Sequence, residues 1–296
     1  MKRAFFFISL FLATALCLPA ATAEAGTAKA VRKHVESSML LTGKIDIDRD
    51  GTVLAVSLDQ EADLTGALAD FAHNAVMHWR FEPVRDDEDN ALVVRAPIRL
   101  RLVARTLEDD NVEVGIRSAD FSPPYDPNDP TAVVPIDQVP PTYPPGAVRA
   151  HVGADTFVMV KVGRDGRVED LATRQVNLHA ISNNRVMASL RGKFAKASER
   201  AIRAWIFRVP TEGPQTDQPY WIVTVPISYR LATVSQHRPG GSYGKWKTYV
   251  AGPLQPVPWL DPKDVRNATS PDALADGGVY MPRKDGLRLL TPLDER

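Results

Sequence analysis

Alternating apolar and polar positions mark a pair of strands early in the chain. Leu41 to Asp48 and Val53 to Leu58 are apolar-rich runs on either side of Asp50-Gly51. Asp-Gly between two such runs is a strong hairpin signal, because glycine reaches positive φ without a Cβ penalty. The period then changes. Leu64, Leu68, Phe71, Ala75 and Trp79 fall at helical spacing, which predicts an amphipathic helix with Asp63 as its N-cap. Ala91 to Ala104 returns to alternation and is rich in β-branched residues, so it reads as a third strand.

The same succession recurs. Thr156 to Val162 and Val168 to Thr173 flank Asp165-Gly166. Val186, Leu190, Phe194, Ala197, Ala201 and Trp205 have helical spacing, and Tyr220 to Ala232 alternates again. Residue identities run in parallel with the pattern. Ala30-Val31-Arg32-Lys33-His34-Val35 matches Ala147-Val148-Arg149-Ala150-His151-Val152 at five of six positions. Arg49-Asp50-Gly51 matches Arg164-Asp165-Gly166, and Trp79-Arg80-Phe81 matches Trp205-Ile206-Phe207. Pro97-Ile98 with Arg101-Leu102 matches Pro226-Ile227 with Arg230-Leu231. The second copy is 11 residues longer between glycine and tryptophan (205 − 166 = 39 against 79 − 51 = 28). An ordered set of matches predicts duplication. The expected fold is α+β: two repeats of a three-stranded antiparallel sheet with one packed helix, in the order β-β-α-β. In each, the helix and one sheet face bury each other, with Trp79 and Trp205 in the two cores.

The segments outside these units differ in character. Lys2 and Arg3 precede an uncharged run from Ala4 to Leu18, followed by Ala21-Thr22-Ala23 and Ala23-Glu24-Ala25. This is the pattern of a cleavable signal peptide over residues 1–25. The run of 15 residues falls short of the roughly 20 that span a bilayer as a helix; an uncleaved inner-membrane anchor is the alternative. The first repeat is assigned to 26–104, a Pro-rich linker to 105–138, the second repeat to 139–232 and a Pro-rich tail to 233–296, which reads as a strap across the domains, with disorder or a recognition arm as the alternatives. The sole cysteine, Cys17, lies in the signal segment, so the mature chain has no disulfide and no thiol nucleophile.

Composition adds exclusions. The 296 residues carry 36 basic and 36 acidic side chains, a balance that gives no electrostatic reason to expect nucleic acid or anionic lipid. With 44% apolar and 24% charged residues, the chain is not disordered through charge. Candidate chemistry fails on context. Asp46, Asp48 and Asp50 open like a calcium loop, but Ser57 stands at the twelfth position, where a bidentate glutamate is required. Gly240-Gly241-Ser242-Tyr243-Gly244 has the spacing of a nucleophile elbow, yet Pro239 precedes it and no histidine follows. His73 and His78 lie about 140° apart on a helix and do not form a metal pair. No catalytic residue, metal ligand, cofactor or small-molecule substrate is assigned.

The stretch Gln138-Val139-Pro140-Pro141-Thr142-Tyr143-Pro144-Pro145-Gly146-Ala147 leads into a strand, Asp165-Gly166, a second strand, a helix, Trp205-Ile206-Phe207 and a last strand with Pro226-Ile227-Ser228-Tyr229-Arg230-Leu231. This resembles the C-terminal domain of TonB-like energy transducers over about 139–232. A degenerate copy without the Tyr-Pro opening covers about 30–104. The resemblance implies a non-enzymatic periplasmic domain of a Gram-negative cell envelope. It would grip a protein or peptide partner, such as an outer-membrane receptor, by strand addition at the edge of its last strand. TonB itself keeps a membrane anchor and a long arm before its domain, whereas here Ala25 and Ala30 are five positions apart. The expected binding residues are Tyr143, Pro144, Tyr220, Trp221, Ile222, Val223, Thr224 and Val225, with pairing centred on Trp221 to Val225, just before Pro226. A structural or assembly role, with the repeats packed together and the tail covering the edges, is the alternative. Whether the last strand of each copy is free or covered separates the two.

Overall fold

The computed structural model describes residues 36–107, 111–231, 244–260, 271–274, 276–281 and 286–293. The signal segment, the block from Ala30 to Val35 and Ser242 lie outside the described residues. The fold is α+β, with antiparallel sheets and, among the described residues, three α-helices.

Strands β1 (Glu36–Ile47) and β2 (Val53–Leu58) form the first hairpin, helix α1 (Gly66–Met77) follows, and β3 (Val94–Thr106) returns antiparallel to β1. β3 pairs with β1 from Val94 to Ala104 on one side. On its other side lies β4 (Val112–Asp120), from Arg99 to Thr106. The sheet is therefore larger than the expected three strands, and β3 is interior over much of its length. β4 falls inside the segment expected to be a linker. Its alternating Val112, Val114 and Ile116 are a strand pattern that acidic and Pro-rich flanks obscure. After β5 (Val134–Asp137) and the short helix α2 (Pro145–Arg149), β6 (Ala154–Gly163) and β7 (Val168–Leu178) make the second hairpin. Helix α3 (Asn184–Ile202), β8 (Ile206–Arg208) and β9 (Tyr220–Tyr229) complete a sheet in the order β7-β6-β9, with β5 and β8 paired separately. From the tail, β10 (Lys247–Tyr249) adds to β1 at Glu36–Ser38.

The two hairpins close in the same way. Gly51 and Gly166 sit at φ +84° and +74°. Phe81 and Phe207 each donate a backbone N–H to the carbonyl of these glycines at 2.8 Å. A Cβ on either glycine would lie within about 2 Å of the phenylalanine carbonyl oxygen (1.9 and 2.0 Å). The Trp-x-Phe segment is thus stitched across the hairpin turn in both units, and Trp79 and Trp205 are 4% and 6% exposed.

Helix faces depart from the expected stripes. In α3 the buried residues are Met187, Leu190, Phe194, Ser198 and Ile202, while Val186 is exposed. Ser198 is buried because its hydroxyl bonds those of Thr156 and Tyr229, each at 2.8 Å. The α3 N-cap is Asn183, whose side chain accepts the Val186 N–H. Asp63 does not cap α1; it lies in a 3-10 turn, and Thr65 occupies the N-cap without a side-chain bond.

The tail joins both units. Leu287, Leu289 and Leu293 pack against the first core. Val250 bridges Leu178 at the edge of β7, and Val257 and Leu260 cover Met159 on the face of the second sheet away from α3. Tyr280 pairs with Thr224, and its ring lies 5.3 Å from the Arg99 guanidinium of β3. Asp272 accepts from Ser118, and its carbonyl accepts from Arg101.

Candidate functional site: the outer edge of β9

A strand edge is a site when its backbone groups point outward unpaired. β9 uses one side for β6, in continuous register from Ala154↔Tyr229 to Gly163↔Tyr220. Residue parity decides what the other side offers. Thr224 donates to the Tyr280 carbonyl at 2.7 Å and accepts the Tyr280 N–H at 2.9 Å, so its polar backbone faces away from β6. Residues two apart share a side, which places Tyr220, Ile222, Pro226 and Ser228 on the same edge. Pro226 has no N–H. The Ser228 N–H goes to the Asp276 carboxylate at 3.0 Å. The edge is therefore occupied at Thr224 and Ser228, interrupted at Pro226, and without a backbone partner among the described residues at Tyr220 and Ile222.

The expected binding residues separate into two places. Tyr143 stacks edge-on against Phe194 and Tyr229 and donates its hydroxyl to the Val152 carbonyl; burial raises its pKa. Pro144 is the N-cap of α2. Both lie at the Tyr229 end of β9, and the other six run from its Tyr220 end to its middle. Nine residues of strand, about 30 Å, separate the ends, so Tyr143 and Pro144 do not share a surface with Tyr220. Trp221, Val223 and Val225 turn into the second core, and Trp221 donates Nε1 to the Gln215 carbonyl. Ile222 packs against the buried cluster of Met159, Val257 and Leu260. Tyr220 is exposed, with the Lys161 ammonium 4.2 Å from its ring centre. A pairing segment could reach main chain along this edge, but most of the strand's side chains are already committed to packing.

The covering residues Asp276 and Tyr280 were not legible in the sequence. They lie in a Pro-rich segment without periodicity, where single residues that pair with a strand edge leave no signal. A polar group beside the edge was missed too. Asp155 of β6 accepts from His179 Nε2 at 2.9 Å and from Ser228 Oγ at 2.6 Å, with Arg230 3.6 Å away. Burial pushes the Asp155 pKa up, but the His179 hydrogen bond and charge, the Arg230 charge and the Ser228 hydroxyl outweigh it and hold the carboxyl well below its ordinary value. The Ser228 hydroxyl donates to the carboxylate and not to the imidazole, so this trio lacks the wiring that activates a serine nucleophile.

The other candidate motifs resolve locally. Asp46 is held bidentately by Arg95, and Asp50 accepts the Thr52 N–H across the hairpin turn. His73 lies 3.3 Å from Glu61, and His78 Nδ1 lies 2.6 Å from the Asn74 carbonyl. Among the described residues no helix is long and apolar enough to cross a membrane. Comparison with family models, curated proteins and solved structures yields no match.

Proposed function

We propose that the chain is a non-enzymatic envelope protein built from two TonB-C-like β-β-α-β repeats, which binds a protein or peptide partner by strand addition at the outer edge of β9. Export to the periplasm rests on residues 1–25 of the sequence. The observation that carries the binding reading is the Thr224–Tyr280 pair. The edge accepts an antiparallel segment through two main-chain bonds, and among the described residues the chain's own tail meets it at two points, Tyr280 through its backbone and Asp276 through its side chain. Main-chain pairing of this kind provides affinity without requiring exposed side chains. A partner would start from the open groups of Tyr220 and Ile222 and displace Tyr280.

The test is capture from an envelope extract with the wild-type chain and with Ile222→Pro. The substitution deletes an outward N–H and spares the ladder to β6. Capture by the wild type and its loss in the variant are expected, with amide protection gained at Ile222 in the complex. Protection confined to residues beyond 233, with Trp221 to Val225 unchanged, would overturn strand addition.

The structural or assembly reading has its own support. β4 covers β3 from Arg99 to Thr106, and the tail bonds to both sheets. It predicts that Ile222→Pro leaves every partner interaction intact.

A further inference from the structure

A cleft of about 330 Å³ lies between β1 and the β6–β9 pair, closed at one side by the tail. Its charged lining is unbalanced: Arg101, Arg230, Lys245 and Lys247 against Asp155 and Asp276. A chain with zero formal net charge thus collects two excess positive charges around one cavity. Both carboxylates are already engaged. Asp155 holds His179, Ser228 and Arg230, and Asp276 accepts the Ser228 N–H. Arg101 gives Nε to the Asp272 backbone carbonyl, which carries no formal charge. The ammonium groups of Lys245 and Lys247 have no hydrogen bond or ion pair among the described residues.

We propose that this cleft binds a small anion, through a carboxylate or phosphate group seated among Lys247, Lys245, Arg230 and Arg101. The volume is at the lower end for ligand pockets, roughly 300–1,000 Å³, which suits a small acid and not a polymer. Two arginines supply forked donors, and two lysines supply compact charges, a mixture that satisfies the several acceptor oxygens of such a group. The state of Lys247 agrees with this geometry. Partial desolvation depresses its pKa, the like charges of Arg230 and Arg101 add to the depression, and Asp155 opposes it. An entering anion would relieve that repulsion. The site does not require the β9 edge to bind anything, so its test is independent of the partner reading.

The purified full chain is titrated at low ionic strength with inorganic phosphate and, in a second series, with succinate, following backbone amide shifts. The expected result is saturable binding of at least one probe, with shifts confined to Arg101 and residues 228–230 and 245–248. Affinity falls about tenfold or more in Lys247→Gln and in Arg230→Gln, a loss expected when a charge-assisted contact is removed. It is unchanged in Lys196→Gln on the exposed face of α3. Both test residues are exposed, so their substitution leaves the cores intact. Saturation by phosphate alone assigns a phosphate ligand, and by succinate alone a carboxylate. Failure of both probes to saturate the wild type would overturn the proposal, as would an equal loss in Lys196→Gln.

Discussion

Gly51 and Gly166 carry the clearest link from residue type to fold. Positive φ costs an ordinary side chain roughly 1–2 kcal/mol. At Gly166 an added Cβ would also meet the Phe207 carbonyl oxygen at 2.0 Å, and the Phe207 N–H bond to the Gly166 carbonyl fixes that approach. Gly166→Ala should therefore lose more stability in chemical denaturation than the conformational cost alone; a loss under about 1 kcal/mol would show that the Trp-x-Phe stitch is soft. Trp205 is the core counterpart, buried with Nε1 donating to the Val139 carbonyl. Trp205→Ala should cost roughly 3–5 kcal/mol, and an unmoved melting transition would remove it from the core. Asp155 gives the pH dependence. Its folded pKa is depressed, so its stabilisation is complete above the ordinary carboxylate pKa and is lost as pH falls through the depressed value. Stability of the wild type should drop below about pH 4, with a shallower acid limb in Asp155→Asn. Glycine, tryptophan and the Asp-Gly turns were legible because each residue type is nearly dictated by its local geometry. Asp155 was not, since its partners come from two stretches remote from it in sequence, His179 on one and Ser228 and Arg230 on the other.

At the level of elements, period and turn chemistry placed the hairpins and the two longer helices, but not their fine register. Hydropathy favoured Val186 and Ala197 for the α3 stripe. The helix instead buries Met187 and Ser198, because a hydrogen-bonded serine can enter a core that an unpaired one could not. The matched prolines are also out of step. Pro97 pairs with Lys44, seven residues before Gly51, and Pro226 pairs with Phe157, nine before Gly166. A shift of two keeps the same side chains inward and moves the proline one pleat from the turn. The caps yield a paired test. Asn183 accepts the Val186 N–H at 3.0 Å, while Thr65 makes no side-chain cap bond. Asn183→Ala should cost about 0.5–2 kcal/mol and Thr65→Ala far less, read from the two denaturation midpoints. Equal losses would mean that cap chemistry does not distinguish the helices.

For the whole molecule, the tail reads from the sequence as a strap, but the residues that complete the sheets were not legible, because apart from β10 single residues do the completing. Tyr280 supplies two backbone bonds to β9 and a ring beside Arg99, Asp276 supplies one acceptor to Ser228, and Asp272 ties Ser118 and Arg101. Such contacts have no period and leave no pattern in hydropathy. They do set a competition. Any segment that pairs with β9 at Thr224 must first release Tyr280, so the proposed affinity is reduced by the fraction of chains whose edge is open. Tyr280→Pro removes one of the two bonds, and Asp276→Ala frees the Ser228 N–H. The doubly substituted chain should keep its Trp205-centred core, exchange the Thr224 and Ser228 amides at least about tenfold faster, and capture more partner from an envelope extract. A tenfold gain corresponds to about 1.4 kcal/mol of relieved competition. Faster exchange without increased capture would leave the tail as a structural strap and sink its role as an occupant of a binding edge. Amides that stay slow would show that the edge is held by something other than Tyr280 and Asp276.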